Sequence, residues 1–205
     1  MKKIFFLFIL LSSTCSVQAQ ERFRAGVKLG LSTSQVDGDT YSGYNKAGVD
    51  GGIFINGKLS DKLNAQMEMI FIQKGSKHVG NRDKGDYSDY LLQLNYMEVP
   101  VLLQYHQKKI TVEAGLSFGY LINEREYNFF QELTGIRPHK KTDGDYNIGF
   151  SYDLLKNMTI NWRYTYSFLS IRNYVSGASR WYNPGERNNV LAFTLTYMFG
   201  GAKSE

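Results

Sequence analysis

The chain has 205 residues, a formal charge of +5, one cysteine, 20 glycines and an aromatic content of 15%. That length suits one domain, the charge is too small and too dispersed to argue for nucleic acid, and a lone cysteine excludes an internal disulfide. Beyond the first twenty residues no apolar run approaches the roughly 18 residues that a membrane-spanning helix needs.

Met1-Lys2-Lys3 is a short basic stretch, Ile4 to Leu11 is unbroken apolar sequence, and Val17-Gln18-Ala19 is a small-residue cleavage site. This is the anatomy of a secretory signal peptide over 1–19, cleaved after Ala19. Cys15 raises a lipoprotein alternative, but Ser12-Ser13-Thr14 before it lacks the leucine and the small residue that lipidation prefers. Cleavage removes Lys2, Lys3 and the only cysteine, so the mature domain, 20–205, carries 5 − 2 = +3.

The mature chain then alternates. Phe23, Ala25, Val27, Leu29 and Leu31 share one face, with Arg24, Gly26, Lys28, Gly30 and Ser32 on the other, which is a strand with one apolar side. A second strand over 47–59 sets Val49, Ile53 and Ile55 against Asp50, Gly52, Asn56 and Lys58. A third over 63–73 sets Met67, Met69 and Phe71 against Gln66 and Glu68. A fourth runs over 90–105 and a fifth over 110–122, where Val112, Leu116, Phe118 and Tyr120 oppose Glu113, Ser117 and Gly119. The sixth, over 145–154, and the seventh, from Ile160 to Phe168, repeat the pattern, with Asp153 and Arg163 on their polar sides. The eighth, over 190–199, places Leu191, Phe193, Leu195, Tyr197 and Phe199 on one face.

Turns near 60, 107 and 156 are short, whereas the links over 33–46, 74–89, 123–144 and 173–189 are long and polar. Short turns at one end and long loops at the other predict an all-β, eight-stranded, antiparallel up-and-down transmembrane barrel in the outer membrane, long loops extracellular and termini periplasmic. A soluble barrel would reverse the faces. Against it stand the Gly- and Ser-rich polar face, which suits a narrow interior, and two aromatic girdles. These are Phe23, Tyr105, Tyr152 and Phe199 at one end, and Tyr120, Tyr146, Tyr166 and Phe168 at the other.

The final Leu195-Thr196-Tyr197-Met198-Phe199 resembles the C-terminal signal read by the barrel assembly machinery, although Gly200 to Glu205 trail beyond the aromatic. Leu94-Asn95-Tyr96-Met97-Glu98-Val99-Pro100-Val101-Leu102 resembles the tyrosine–aliphatic–glutamate–aliphatic–proline signature of the PorT-like outer-membrane β-barrel family. Ala114 to Leu121, Gly26 to Leu31, and Arg163-Tyr164 with Ser167 to Ile171 resemble its neighbouring strands. The resemblance implies an integral outer-membrane barrel in a functionally broad family whose namesake is associated with a secretion and gliding apparatus.

Within the fourth strand the apolar parity changes: Leu92, Leu94 and Tyr96 give way to Met97, Val99, Val101 and Leu103. A one-residue switch is the signature of a β-bulge, which places one at Tyr96-Met97, with Glu98 and Pro100 facing inward below it. The inward faces collect Arg24, Lys28, Lys58 and Arg163 against Asp50, Glu68, Glu98, Glu113 and Asp153. In so narrow a space these charges should pair into a plug, and the alternative is a gated pore or proton path.

His78 and His139 fall in the long links, near Asp83, Asp86 and Asp89 and near Asp143 and Asp145; His106 falls in a turn. No nucleophile motif or metal-ligand spacing accompanies them, so they read as solvated residues, and no enzyme, cofactor or metal is expected. The loops mix aromatics with cations, notably Tyr44, Arg82, Tyr87, Tyr127, Phe130, Arg137, Trp181 and Tyr182. That mixture suits a binding surface or a rim resting on lipid headgroups. The expected partners are membrane lipid, the assembly machinery and an unknown surface ligand or envelope protein. The reading is a structural or interaction scaffold presenting its loops, with a small transport pore or a secretion-associated barrel as the alternative.

Overall fold

The computed structural model describes residues 23–128, 131–133, 135, 137–173 and 185–200. Its strands are β1 (Phe23–Asp37), β2 (Lys46–Lys58), β3 (Leu63–His78), β4 (Tyr90–Gln107), β5 (Ile110–Asn128), a two-residue β6 (Gln131–Glu132), β7 (Thr142–Leu155), β8 (Met158–Ser167) and β9 (Arg187–Met198). Each long strand pairs antiparallel with its chain neighbour, β1 pairs with β9, and β4 pairs with β5, so eight strands close without a free edge. β6 only folds back on the tip of β5. The signal-peptide segment, Phe130, Trp181 and Tyr182 lie outside the described residues.

The exterior is apolar. Leu29, Leu31, Ile53, Met67, Val101, Leu103, Leu116, Phe118, Tyr120, Ile148 and Phe150 are all exposed. Surface of that extent belongs in lipid rather than water. The interior is polar: Lys28, Asp50, Glu68, Glu98, Glu113, Asp145 and Arg163 are buried inside. Glycines make the space. A Cβ on Gly119 would lie 2.9 Å from Glu98 Cγ, and one on Gly149 would lie 2.9 Å from a Glu113 carboxylate oxygen.

Four strands are longer than their alternation suggests. β1 continues to Asp37, β3 to His78 and β5 to Asn128, and β7 begins at Thr142. β4, at 18 residues, far exceeds the roughly 9–11 residues that a tilted strand needs to cross a bilayer.

The excess length corrects the bulge. Burial along β4 alternates without interruption: Leu92, Leu94, Tyr96, Glu98, Pro100, Leu102 and Gln104 all point inward. No residue is inserted at Tyr96-Met97. The parity of apolarity switches because the surroundings invert: below Tyr96 the strand is apolar outside, with Glu98 and Gln104 among its inward residues, and above it the inward Leu92 and Leu94 are apolar. The pairing shift does fall beside Tyr96, but its extra residue is in β5, where Asn95 faces Asn123 and Tyr96 faces Leu121, leaving Ile122 over. Ile122 and Asn123 are consequently both exposed, and Glu124 turns inward. Pro100 faces inward, and β3–β4 pairing lapses opposite it between Met67↔Val101 and Ile70↔Glu98, as a missing N–H requires.

Candidate functional site

The interior is built in layers. At the short-turn end, Asn56 donates to Gln66 (3.0 Å) and Gln104 (2.7 Å), and Gln104 donates to Glu113 (3.0 Å). A cavity of about 40 Å³ opens here, bounded above by Lys28, Glu68 and Arg163. It has room for a few waters and no solute.

The next layer is an ion-pair ring. Arg163 grips Glu68 through both Nη atoms at 2.8 and 2.7 Å, and donates from Nε to Glu113 at 2.8 Å. Lys28 lies 3.2 Å from Glu68 and 3.4 Å from Asp50. The forked geometry matters, because charge this deeply buried is tolerated only when its hydrogen bonds are met.

A second ring lies above, and sequence reasoning missed its cation. Lys74, placed by sequence in a loop, is fully buried and pairs with Glu98, with Asp145 at 2.9 Å and with Asp143 at 3.2 Å. Glu98 therefore meets Lys74, a cation outside the four that the sequence placed inside. Asp143 and Asp145 are buried interior residues, which overturns their assignment to solvent. The signal was there: Lys74 has the same parity as Gln66 and Glu68. The three carboxylates cluster closely enough to hold a cation. The Lys74 ammonium takes the position a metal ion would occupy.

Above this ring Val36, Ile70, Ile72, Tyr90, Leu92, Leu94, Tyr96, Leu121, Ile171 and Val190 form an apolar plug. It is capped by a polar clasp. Arg172 reaches Glu126 at 2.7 Å and Glu186 at 2.8 Å, and Tyr90 donates to Glu126 at 3.0 Å. His139, expected in solvent, is buried between Glu124 (2.9 Å) and Glu186 (3.5 Å). Burial would raise the Glu186 carboxyl, but hydrogen bonds from His139 and Arg172 hold it below the usual carboxylate range.

Three expected members of the interior network lie outside the two rings, although Asp153 lines the cavity at the short-turn end. Lys58 is exposed and pairs with Asp61 at 2.9 Å in the β2–β3 turn. Arg24 and Asp153 are half-buried at the barrel's short-turn end, where Thr159 donates to Asp153. Strand ends flare into solvent, so inward parity there does not bury a charge.

The long-loop end carries the remaining candidates. Tyr41 stacks between His78 (4.9 Å) and Tyr90 (4.7 Å), and the Tyr44 hydroxyl donates to Asn189 at 2.6 Å. Arg82 and Tyr87 are exposed, Tyr127 is half-buried, and Arg137 donates to the Asn173 carbonyl at 3.1 Å. His78 meets Asp86 at 2.9 Å, but Ser88 donates to the same carboxylate rather than to the imidazole. These contacts hold the Asp86 carboxyl well below its usual range, with the Ser88 hydrogen bonds contributing most. A nucleophilic serine would have to contact the histidine itself. The arrangement is therefore that of a loop turn.

A closed eight-stranded antiparallel barrel with an apolar belt and a charged, filled lumen defines a transmembrane outer-membrane protein. Residues 18–173 match the family model described as outer membrane protein beta-barrel domain, and the chain belongs to that family. Among solved structures it is similar to Ail, the attachment invasion locus protein of Yersinia pestis. They share 14% identity at a TM-score of 0.51, over 87% of this chain and 99% of that one. Ail in complex with the heparin analogue sucrose octasulfate matches at 14% identity and a TM-score of 0.50, over 87% and 99% of the two chains. Neisserial surface protein A matches at 12% identity and 0.49, over 86% and 97%. At these identities the likeness is one of fold. No curated protein matches the chain in sequence.

Proposed function

We propose that this protein is a non-conducting outer-membrane scaffold that presents its long loops, on the extracellular side, to a surface ligand or envelope partner. The observation that carries this reading is the filled lumen. Two ion-pair rings, an apolar plug and an ionic clasp follow one another along the axis, and the cavity below them is only about 40 Å³. Opening a path would mean breaking buried pairs at about 3–5 kcal/mol each. With transport closed off, the chemically varied surface left to recognise anything is the loop end, with its Tyr41–His78–Tyr90 stack and the exposed Arg82 and Tyr87.

The same proposal takes 1–19 as a cleaved export signal, assembly by the barrel machinery through the β9 pattern, and membership of the PorT-like group through the segment around Glu98 and Pro100. Loop contacts by Tyr44, Tyr127, Phe130, Arg137, Trp181 and Tyr182 belong to it as well. The test is planar-bilayer recording of the refolded protein. A silent bilayer is expected, and steady large openings from the wild-type chain would replace the scaffold with the pore.

A further inference from the structure

Where the apolar exterior ends, one wall of the barrel becomes strongly cationic. On β5 the exposed series Leu116, Phe118, Tyr120 and Ile122 is followed by the exposed Asn123 and Arg125. The segment 137–141 runs back alongside: His139 bonds Glu124, and the Leu121 amide donates to the Lys141 carbonyl at 2.7 Å. Because His139 is buried, its neighbours Lys140 and Lys141 are left on the outer surface beside Arg125, with Arg137 further along. Two neighbouring acids on β5 point the other way, and the exposed Glu132 of β6 lies opposite Tyr127. Glu124 turns inward to His139, and Glu126 turns inward to Arg172 and Tyr90. Among the described residues, no acidic side chain pairs with Arg125, Lys140 or Lys141.

The opposite wall differs. Beyond the exposed Leu31 and Val49, β1 and β2 continue outward with Thr33, Gln35, Asp37 and Ala47. Among the described residues, three exposed cations thus gather on the β5–β7 side, whereas β3 carries the single exposed Lys77. The three sit one step beyond the exposed rings of Phe118, Tyr120 and Tyr146, which is the depth of lipid headgroups.

We infer that Arg125, Lys140 and Lys141 form a docking site for phosphate-bearing lipid headgroups in the leaflet at the long-loop end. Arg125 supplies a planar fork for phosphate oxygens, and the two lysines supply point charges beside it. The acyl chains of the same lipid lie along Leu116, Phe118 and Ile122. The two parts of the wall together fit a lipid, because a free anion would have no use for the apolar strip below.

The test uses the full protein refolded into vesicles, with one tryptophan as reporter: Tyr120→Trp in a Trp162→Phe, Trp181→Phe background. Brominated phosphatidylglycerol should quench it more than brominated phosphatidylcholine. Each of Arg125→Gln, Lys140→Gln and Lys141→Gln should lower that preference by about fivefold at low salt, following the roughly 1 kcal/mol per surface cation near anionic lipid. Raising ionic strength should erase it. A reporter at Leu31→Trp, on β1 and away from Lys77, should show a much smaller preference. An equal preference at both walls, or one unchanged by the substitutions, would overturn the assignment. If one of these variants fails to fold, the other two carry the test.

Discussion

At the scale of single residues, the protein is a study in placing ions where lipid surrounds them on every side. Lys28, Lys74 and Arg163 each face two or three carboxylates, so no cation depends on a single partner. The two rings should therefore behave as separate networks. Glu68→Gln should destabilise the barrel by about 3–5 kcal/mol, and adding Arg163→Met should recover part of it, with a coupling of about 0.5–3 kcal/mol. Glu98→Gln should couple with Lys74→Met in the same way, yet add simply to Arg163→Met. Urea unfolding of the vesicle-bound protein measures all three cycles. Coupling between Glu98 and Arg163 as strong as that within each ring would mean one network rather than two.

The strands carry a second message, about where the bilayer stops. β4 keeps one geometric alternation throughout, but the solvent outside changes near Tyr96 and Met97. Met97, Val99, Val101 and Leu103 are exposed apolar residues, whereas Leu91, Gln93 and Asn95 flank a strand whose apolar side has moved inside. The upper part of the barrel thus folds like a small soluble β-barrel, with Leu92, Leu94 and Tyr96 in its core. A tryptophan at Val99 or Val101 should be quenched by brominated acyl chains, and one at Gln93 or Asn95 should not. Equal quenching along the strand would place the whole of β4 in lipid. Leu116→Arg, by the same logic, should cost about 2–4 kcal/mol in a refolding titration, because it puts a cation on the lipid face.

Taken whole, the molecule is asymmetric along its axis. One end has tight turns at 59–62, 108–109 and 156–157, and the other has long connections clasped by Arg172, Glu126 and Glu186. If the long loops are extracellular, a cysteine at Gly80 or Gly135 should react with an impermeant maleimide on intact cells. One at Asp61 or Asn157 should react only after the outer membrane is opened. The reverse labelling would invert the orientation and move the lipid site to the inner leaflet.

The strand count, the closure and the membrane-facing surface were legible in the residues, because each depends on period-two alternation and turn length, both local properties. Glu68, Glu113 and Arg163 could be assigned inward for the same reason. Their partners could not. Which carboxylate meets which cation depends on the register between strands far apart in sequence and on the stagger that closes the barrel. Lys74 and Glu98 lie on paired strands, but Asp143 and Asp145 come from β7, beyond β5, where Asp143 faces Glu98 over Gly119. Alternation also misled where it kept its geometry but exchanged its environments: the apolar switch at Tyr96 looked like an inserted residue, and Lys74, His139 and Asp143 looked like loop. What the sequence by itself determined was a barrel with a charged interior, since side-chain direction along a strand needs no knowledge of its neighbours. What only the tertiary structure decided was how that interior is sealed and where the bilayer ends, since both depend on which strands the closed sheet brings face to face.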